Sequence, residues 1–454
     1  MTPLPEPTRT DAPAASRTDT QVATQWAQRD AAVVWHGFTQ MSTYLDNEPV
    51  IVERGEGRWL IDVAGKRYFD AFSSLWVTTL GHCHPGLTQA ATRQLETLAH
   101  ATLLGNGTVS SIKLAELLVK HCPVDSAHVI YASDGAAAVE QAARIAYQYW
   151  ANVGQPRSRF LALGNAYHGD TIGALSLGDG GFGTSMLDPL RFPTLRTPGY
   201  DHPAAGEVAA AAIRAHRPAA VIVEPLVQGA AGMLTTTPEQ MRLIADACRE
   251  TSTLLIADEV AVGFGRTGHL FASDLCGWRP DIIVVGKGLT GGYLPMAATI
   301  ANERVFEAFL GPDLSERTLY HGHSYGGNAV AAAVALRHME LLEELRTLEH
   351  VQAMAPLFAD MLDSLVDHPC VVGVRHLGLL GAIEIDPTLP ALTARRVSTE
   401  CVRSGVLLRS LGTAIPIVPP LTTEPDEIGL IGDTVRSALD RVMKVYGRTS
   451  GLDQ

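Results

Sequence analysis

The chain has 454 residues, 46% hydrophobic and 18% charged, enough apolar material for a large folded unit of roughly two or three domains. A formal net charge of −13 with no basic run argues against a nucleic-acid partner, and no apolar stretch is long enough to span a bilayer. Six cysteines without a C-x-x-C pair argue against a disulfide framework and fit reduced thiols in the cytoplasm.

Residues 1–20, rich in Pro, Thr, Ala and Asp, read as a disordered tail without the apolar core of a secretory signal. Residues 21–86 are expected to form the N-terminal part of a small domain. Within them Ile51–Asp70, punctuated by Gly55, Gly57 and Gly65, reads as short strands joined by turns. His82-Cys83-His84, like His321-Gly-His323 further on, has no second cluster at tetrahedral-site spacing, so no metal is expected.

From Leu87 the pattern becomes alternating helices and apolar strands, with candidate strands at His128–Ala132, Arg159–Leu163, Ala219–Val223, Leu254–Ala257 and Ile282–Val285. Several are apolar throughout, as strands covered on both faces of a mainly parallel sheet must be. After Gly135, residues Val139, Ala142, Ala143, Ala146 and Trp150 mark one face of a helix. Thr237-Pro238-Glu239-Gln240 predicts a helix start, with Thr as N-cap, Pro at the first position and Gln closing a capping box. Residues 87–328 are therefore expected to form the large domain of an α/β protein, with ligands at the carboxyl ends of the strands. Residues 329–454 should complete a smaller α+β domain, ending in an amphipathic helix through Ile428, Ile431, Val435, Leu439 and Val442.

Two strand ends carry chemistry. Leu254–Ala257 runs into Asp258-Glu259, and Ile282–Val285 runs into Gly286-Lys287-Gly288. A carboxylate and an amine at neighbouring strand ends suit pyridoxal 5′-phosphate, which needs an amine to hold its aldehyde and a carboxylate to keep its ring nitrogen protonated. Burial would lower the proton affinity of Lys287 and help make it a nucleophile and a base. Taken singly, both residues could equally be ordinary turn residues.

Their flanks, Leu255-Ile-Ala-Asp-Glu-Val-Ala-Val-Gly-Phe-Gly-Arg-Thr-Gly268 and Gly286-Lys-Gly-Leu-Thr-Gly-Gly292, resemble the class III (subgroup II) aminotransferases from about Trp35 to the C-terminal helix. Trp35-His-Gly-Phe-Thr-Gln-Met41, Phe72-Ser-Ser-Leu-Trp76, Ala146-Tyr-Gln-Tyr-Trp150, Tyr167-His-Gly-Asp-Thr171 and Glu224–Met233 narrow the likeness. They resemble the branch that converts 8-amino-7-oxononanoate to 7,8-diaminononanoate in biotin biosynthesis. The resemblance implies the pyridoxal-phosphate-dependent transferase fold type I, an enzyme and a homodimer with shared active sites. It makes Lys287, Asp258 and Tyr167 the catalytic group, with Tyr167 stacked on the cofactor ring. Asp134, Gly135 and Ala136, opening a helix, would hold the phosphate together with Ser324 of the neighbouring subunit. Gln228 would reach the phenolic oxygen, and His168 and Glu224 would complete the cofactor shell. Arg409 would grip the substrate carboxylate, and Asp170 and Arg266 would be pocket residues, either paired with each other in a structural salt bridge or in contact with substrate. Phe38, Leu75, Trp76, Gly322 and Pro416 complete the substrate set.

Some positions depart from the pattern. Asp134, Ala136 and Ala137 stand where relatives carry hydroxyl residues, which bears on cofactor affinity, and Val262 replaces a common threonine. Phe38, Leu75 and Pro416 replace the Tyr, Trp and Tyr of the form that uses S-adenosylmethionine as amino donor, which points to lysine as donor here. Two other readings stand beside this one: another ω-amine transaminase with pyruvate or a related acceptor, and a non-catalytic pyridoxal-phosphate-binding regulator.

Overall fold

The structure, a computed structural model, describes residues 17–179 and 184–449. Of the expected disordered tail, residues 1–16 lie outside the described residues, and Arg17–Thr20 already belong to a helix, Arg17–Val33.

The centre of the protein is a seven-stranded sheet in the order His128–Ala132, Ala297–Ala301, Ile282–Val285, Leu254–Asp258, Ala220–Val223, Phe160–Leu163, Thr194–Thr197. Every strand pair in it is parallel except the two made by Ala297–Ala301. The expected strands are all present, each with its expected bounds or displaced by one residue at one end. Thr194–Thr197 and Ala297–Ala301 were not anticipated. The first is a mixed Thr-Leu-Arg-Thr edge, and the second is alanine-rich, so neither has the β-branched run that marks a buried strand.

Alternate side chains feed two cores. Leu161, Val221 and Leu255 pack with Ile213 of the helix Ala205–His216 and Ile244 of the helix Pro238–Thr251. Ala162, Ile222 and Ile256 pack on the other face against Val139, Ala142 and Ala146 of the helix Gly135–Asn152. The Pro238 helix starts as expected, with the Thr237 side chain accepting from Gln240 N. The capping box is only half made, because the Gln240 side chain instead accepts from Gly206 N at 2.8 Å.

Two antiparallel three-stranded sheets flank this unit. Val52–Glu56, Trp59–Asp62 and Arg67–Phe69 form one, and Val371–Leu377, Leu380–Ile385 and Ala414–Ile417 form the other. The N-terminal sheet is stitched to the C-terminal part of the chain: Phe69 N donates to Gly405 O and Leu407 N donates to Phe69 O, both at 2.8 Å. The last helix, Pro425–Thr449, buries Ile428, Ile431, Val435, Leu439 and Val442. Among the described residues, no helix is long and apolar enough to cross a membrane.

Candidate active site

Parallel strands deliver their carboxyl ends to one edge, and the chemistry-bearing residues stand there. Asp258 is the last residue of its strand and lies in register with Val284, so Lys287 emerges one strand over. Strand His128–Ala132 leads to Asp134, Phe160–Leu163 to Tyr167 and Ala220–Val223 to Glu224. Together these residues line a niche of about 510 Å³, with Trp76, Gly135, Ala136, His168 and Asp170 on its wall.

Asp258 is buried, and its Oδ2 lies 2.7 Å from His168 Nδ1 while Oδ1 accepts from Val260 N. Glu224, also buried, accepts from Tyr167 N at 3.1 Å and Gly229 N at 3.0 Å. Burial pushes the Glu224 carboxyl up to about 7, against the pull of His168 and these two amides. Burial also lowers the proton affinity of the Lys287 amine, with the charges of Asp258 and Glu224 opposing. The Lys287 Nζ stands 5.1 Å from the Trp76 ring centroid. Trp76 Nε1 and His168 Nε2 are buried without a hydrogen-bond partner.

The helix Gly135–Asn152 points its N-terminus at the niche. Its N-cap, Asp134, accepts from Ala137 N at 2.9 Å, so the unusual carboxylate is occupied as a cap. The N–H groups of Gly135 and Ala136, at the first helical positions, have no acceptor within the helix. A Cβ on Gly135 would stand 2.9 Å from Val260 Cγ1, so the close approach there requires glycine.

A second cavity, a cleft of about 1710 Å³, shares Trp76, Tyr167, Ala230 and Lys287 with the niche and runs outward from it. Phe38, Leu75 and Arg409 line it, together with Lys66 and Arg395, which sequence reasoning missed. Arg409 donates to the Phe38 carbonyl oxygen at 2.9 Å, and burial and the nearby Arg395 lower its proton affinity.

Trp76 and Leu75 reach these walls from an irregular turn. Ser73, Ser74, Leu75 and Trp76 have φ of 46°, 49°, 76° and 67°, one turn of left-handed helix closed by Trp76 N donating to Phe72 O and Val77 N to Ser73 O. Lys287 itself has φ of 39°. A left-handed L-residue costs about 1–2 kcal/mol, so this backbone is held against its own preference.

Several expected placements are corrected. Gln228 lies away from the niche, because its Oε1 accepts from Tyr200 N and its Nε2 donates to Gly164 O; Ala261 lines the niche instead. Asp170 and Arg266 do not pair. Asp170 accepts from Tyr167 OH at 3.0 Å, whereas Arg266 is buried and donates to Thr78 O at 2.6 Å and Pro419 O at 2.5 Å. Burial pushes that guanidinium down to about 9. Pro416 is buried in the edge strand Ala414–Ile417, in register with Ala382, and not on the cleft wall. Gly322 and Ser324 are exposed and line neither cavity of their own chain. His321 and His323 serve hydrogen bonds, to Gln141 Nε2 and Ser133 N.

Comparison with known proteins agrees with this geometry. The family model "Aminotransferase class-III" matches residues 41–439. The adenosylmethionine-8-amino-7-oxononanoate aminotransferase of Nitratidesulfovibrio vulgaris is 41% identical, over 93% of this chain and 83% of its own. The enzyme of that name from Methanocaldococcus jannaschii has a crystal structure that superposes with a TM-score of 0.88 at 35% identity, over 93% of this chain and 99% of that one. The omega transaminase of Pseudomonas jessenii, solved in complex with PMP, gives a TM-score of 0.86 at 30% identity, over 93% and 99%. An amine and a carboxylate at adjacent strand ends, a helix N-terminus facing them and a family match along most of the sequence lead to one assignment: the chain belongs to the class-III aminotransferases, enzymes that depend on pyridoxal phosphate.

Proposed function

We propose that this enzyme aminates 8-amino-7-oxononanoate to 7,8-diaminononanoate, a step of biotin biosynthesis. The names of the relatives support the acceptor, and the observation that carries the reading is the continuous space from Lys287 to Arg409. An amino-oxo acid needs an amine at its keto carbon and a cation at its distant carboxylate.

The niche fits pyridoxal phosphate, since it offers a lysine of lowered proton affinity, a buried carboxylate, free helix N–H groups and two unpartnered buried donors or acceptors. That group supplies an aldehyde for amines and a ring that takes up the electrons left when a Cα–H bond breaks. Lys287 would hold the cofactor through its amine and, once released, would take the substrate proton at its Nζ and return it. His168 orients Asp258, whose carboxylate would keep the cofactor's ring nitrogen protonated. Tyr167, steadied by Asp170 at its hydroxyl and by Glu224 at its backbone N–H, would offer its ring face to the cofactor. Gly135 and Ala136 would bind the phosphate through backbone N–H groups and the helix dipole. Ser324, exposed in its own chain, suits a contribution to the phosphate of a neighbouring copy, which makes the active unit a homodimer. Arg409 takes the substrate carboxylate through a planar bidentate contact. Six free cysteines accord with a cytoplasmic enzyme.

For the donor, Phe38 and Leu75 on the cleft wall favour lysine, because they leave less aromatic and hydroxyl surface for an adenosyl group. Pro416 no longer counts toward that choice, and the relatives are named for adenosylmethionine. Single-turnover absorbance of the cofactor-loaded enzyme decides the matter. L-lysine is expected to bleach the visible band faster than S-adenosylmethionine at equal concentration, and the reverse order returns the enzyme to the donor in its relatives' names. Lys287→Ala should abolish both the pH-dependent visible band and turnover. A variant that keeps either removes Lys287 from the centre of this reading.

A further inference from the structure

The turn Ser73–Trp76 sits where L-residues resist sitting, and Asp70 is placed to hold it there. Asp70 is fully buried. Its Oδ1 accepts from Ser74 N at 3.0 Å, and its Oδ2 accepts from Ser74 Oγ at 2.8 Å and lies 2.9 Å from His82 Nε2. Its backbone carbonyl accepts from Ser73 N at 3.1 Å. The far end of the turn is fixed as well, since Arg266 donates to Thr78 O and Ser73 O accepts from both Val77 N and Thr78 N. The turn delivers two side chains. Trp76 wedges over Gly229, where an added Cβ would meet its ring at 3.1 Å, and faces the Lys287 amine. Leu75 enters the cleft.

We propose that Asp70 is a positioning residue for the reaction: by holding the left-handed turn it sets where Trp76 stands against Lys287 and where Leu75 stands in the substrate cleft. The inference rests on Lys287 being the reacting amine, which the loss of the visible band and of turnover in Lys287→Ala tests separately. A merely structural Asp70 would lower the melting temperature when changed and leave the folded enzyme's rate and cofactor environment untouched.

The test is Asp70→Asn in the cofactor-loaded enzyme. An amide cannot accept at both oxygens, so the turn loses part of its clamp. The expected result is a fall in kcat of roughly tenfold to a hundredfold, the size of a lost hydrogen bond to a charged group. Cofactor should remain bound, but its visible circular dichroism, which reports the asymmetry of nearby aromatic rings, should change in amplitude. Adding Ser73→Gly should restore much of both signals, because glycine adopts positive φ at no steric cost and the Ser73 hydroxyl is buried without a partner. If Asp70→Asn does not fold, Ser74→Ala, which removes one contact and keeps the carboxylate, should move the same two readouts a few-fold in the same direction. Wild-type kcat and visible dichroism in folded Asp70→Asn overturn the proposal. So does a loss that Ser73→Gly leaves unrepaired, or, where Asp70→Asn does not fold, a Ser74→Ala variant indistinguishable from wild type.

Discussion

Replacing Glu224 by glutamine should make the enzyme relatively more stable as the pH rises. The buried carboxyl accepts from Tyr167 N and Gly229 N, and burial moves its pKa from 4.5 up to about 7. A folded-state value above the unfolded one means that folding favours the protonated form. The associated stability is complete below about pH 4.5 and is lost as the pH rises toward 7. That gap corresponds to about 3 kcal/mol. Glutamine has the shape of the protonated acid and no charge to desolvate, so it escapes the loss. For a chain of this length the melting temperature of Glu224→Gln relative to wild type should climb by about 3 °C between pH 4.5 and 8. Glu259, also buried and pushed up to about 7, is present in both proteins and cancels from the difference. Thermal scans across this range, with saturating cofactor in both, make the measurement. A difference that is flat with pH, or that falls, refutes the assignment of a buried carboxyl disfavoured in its charged form.

Two further substitutions probe the proposed chemistry. Asp258→Asn should retain cofactor yet lower the single-turnover rate by at least about a hundredfold, because a neutral amide cannot stabilise a protonated ring nitrogen; a near wild-type rate removes Asp258 from that role. Arg409→Ala should raise KM for the amino-oxo acid roughly tenfold to a hundredfold, the worth of a charge-assisted contact, while sparing a donor without a carboxylate. Steady-state kinetics with both substrates read the split, and an unchanged acceptor KM leaves Arg409 with only its contact to the Phe38 carbonyl.

The strands that carry Asp258 and Lys287 were legible because strands covered on both faces must be apolar throughout, and Leu254–Ala257 and Ile282–Val285 are. The helix after Gly135 was legible for a similar reason: a periodic apolar face is a local signal. What stayed hidden was set by tertiary partners. Gln228 follows Glu224 closely in sequence, yet the backbone of Tyr200 and Gly164 takes up its amide. Arg266 looks like a pocket cation in its motif, but the carbonyls of Thr78 and Pro419 draw it into the core. Pro416 sits in a short strand whose pairing with Ala382 decides that it is covered. Asp70 carried no signal at all, being one acid among many until its three partners are seen together.

Two departures from local preference lie around a single amine. Lys287 adopts positive φ and the neighbouring Trp76 arrives on a left-handed turn, while Asp134 stands as the N-cap of the helix that opens beside them. The left-handed turn has compensating partners in the structure. The turn has Asp70 and Arg266, and Asp134 has the Ala137 N–H that it caps. Strain of this kind persists only where the surroundings over-determine it. Here it fixes the aromatic wall and the amine to the rigid edge of the sheet before any substrate arrives. The absence of hydroxyls at Ala136 and Ala137 then has a direct consequence. In the proposed reading, phosphate binding would fall to backbone N–H groups, whose positions the helix sets, so specificity for the anion would survive even where individual donors are fewer.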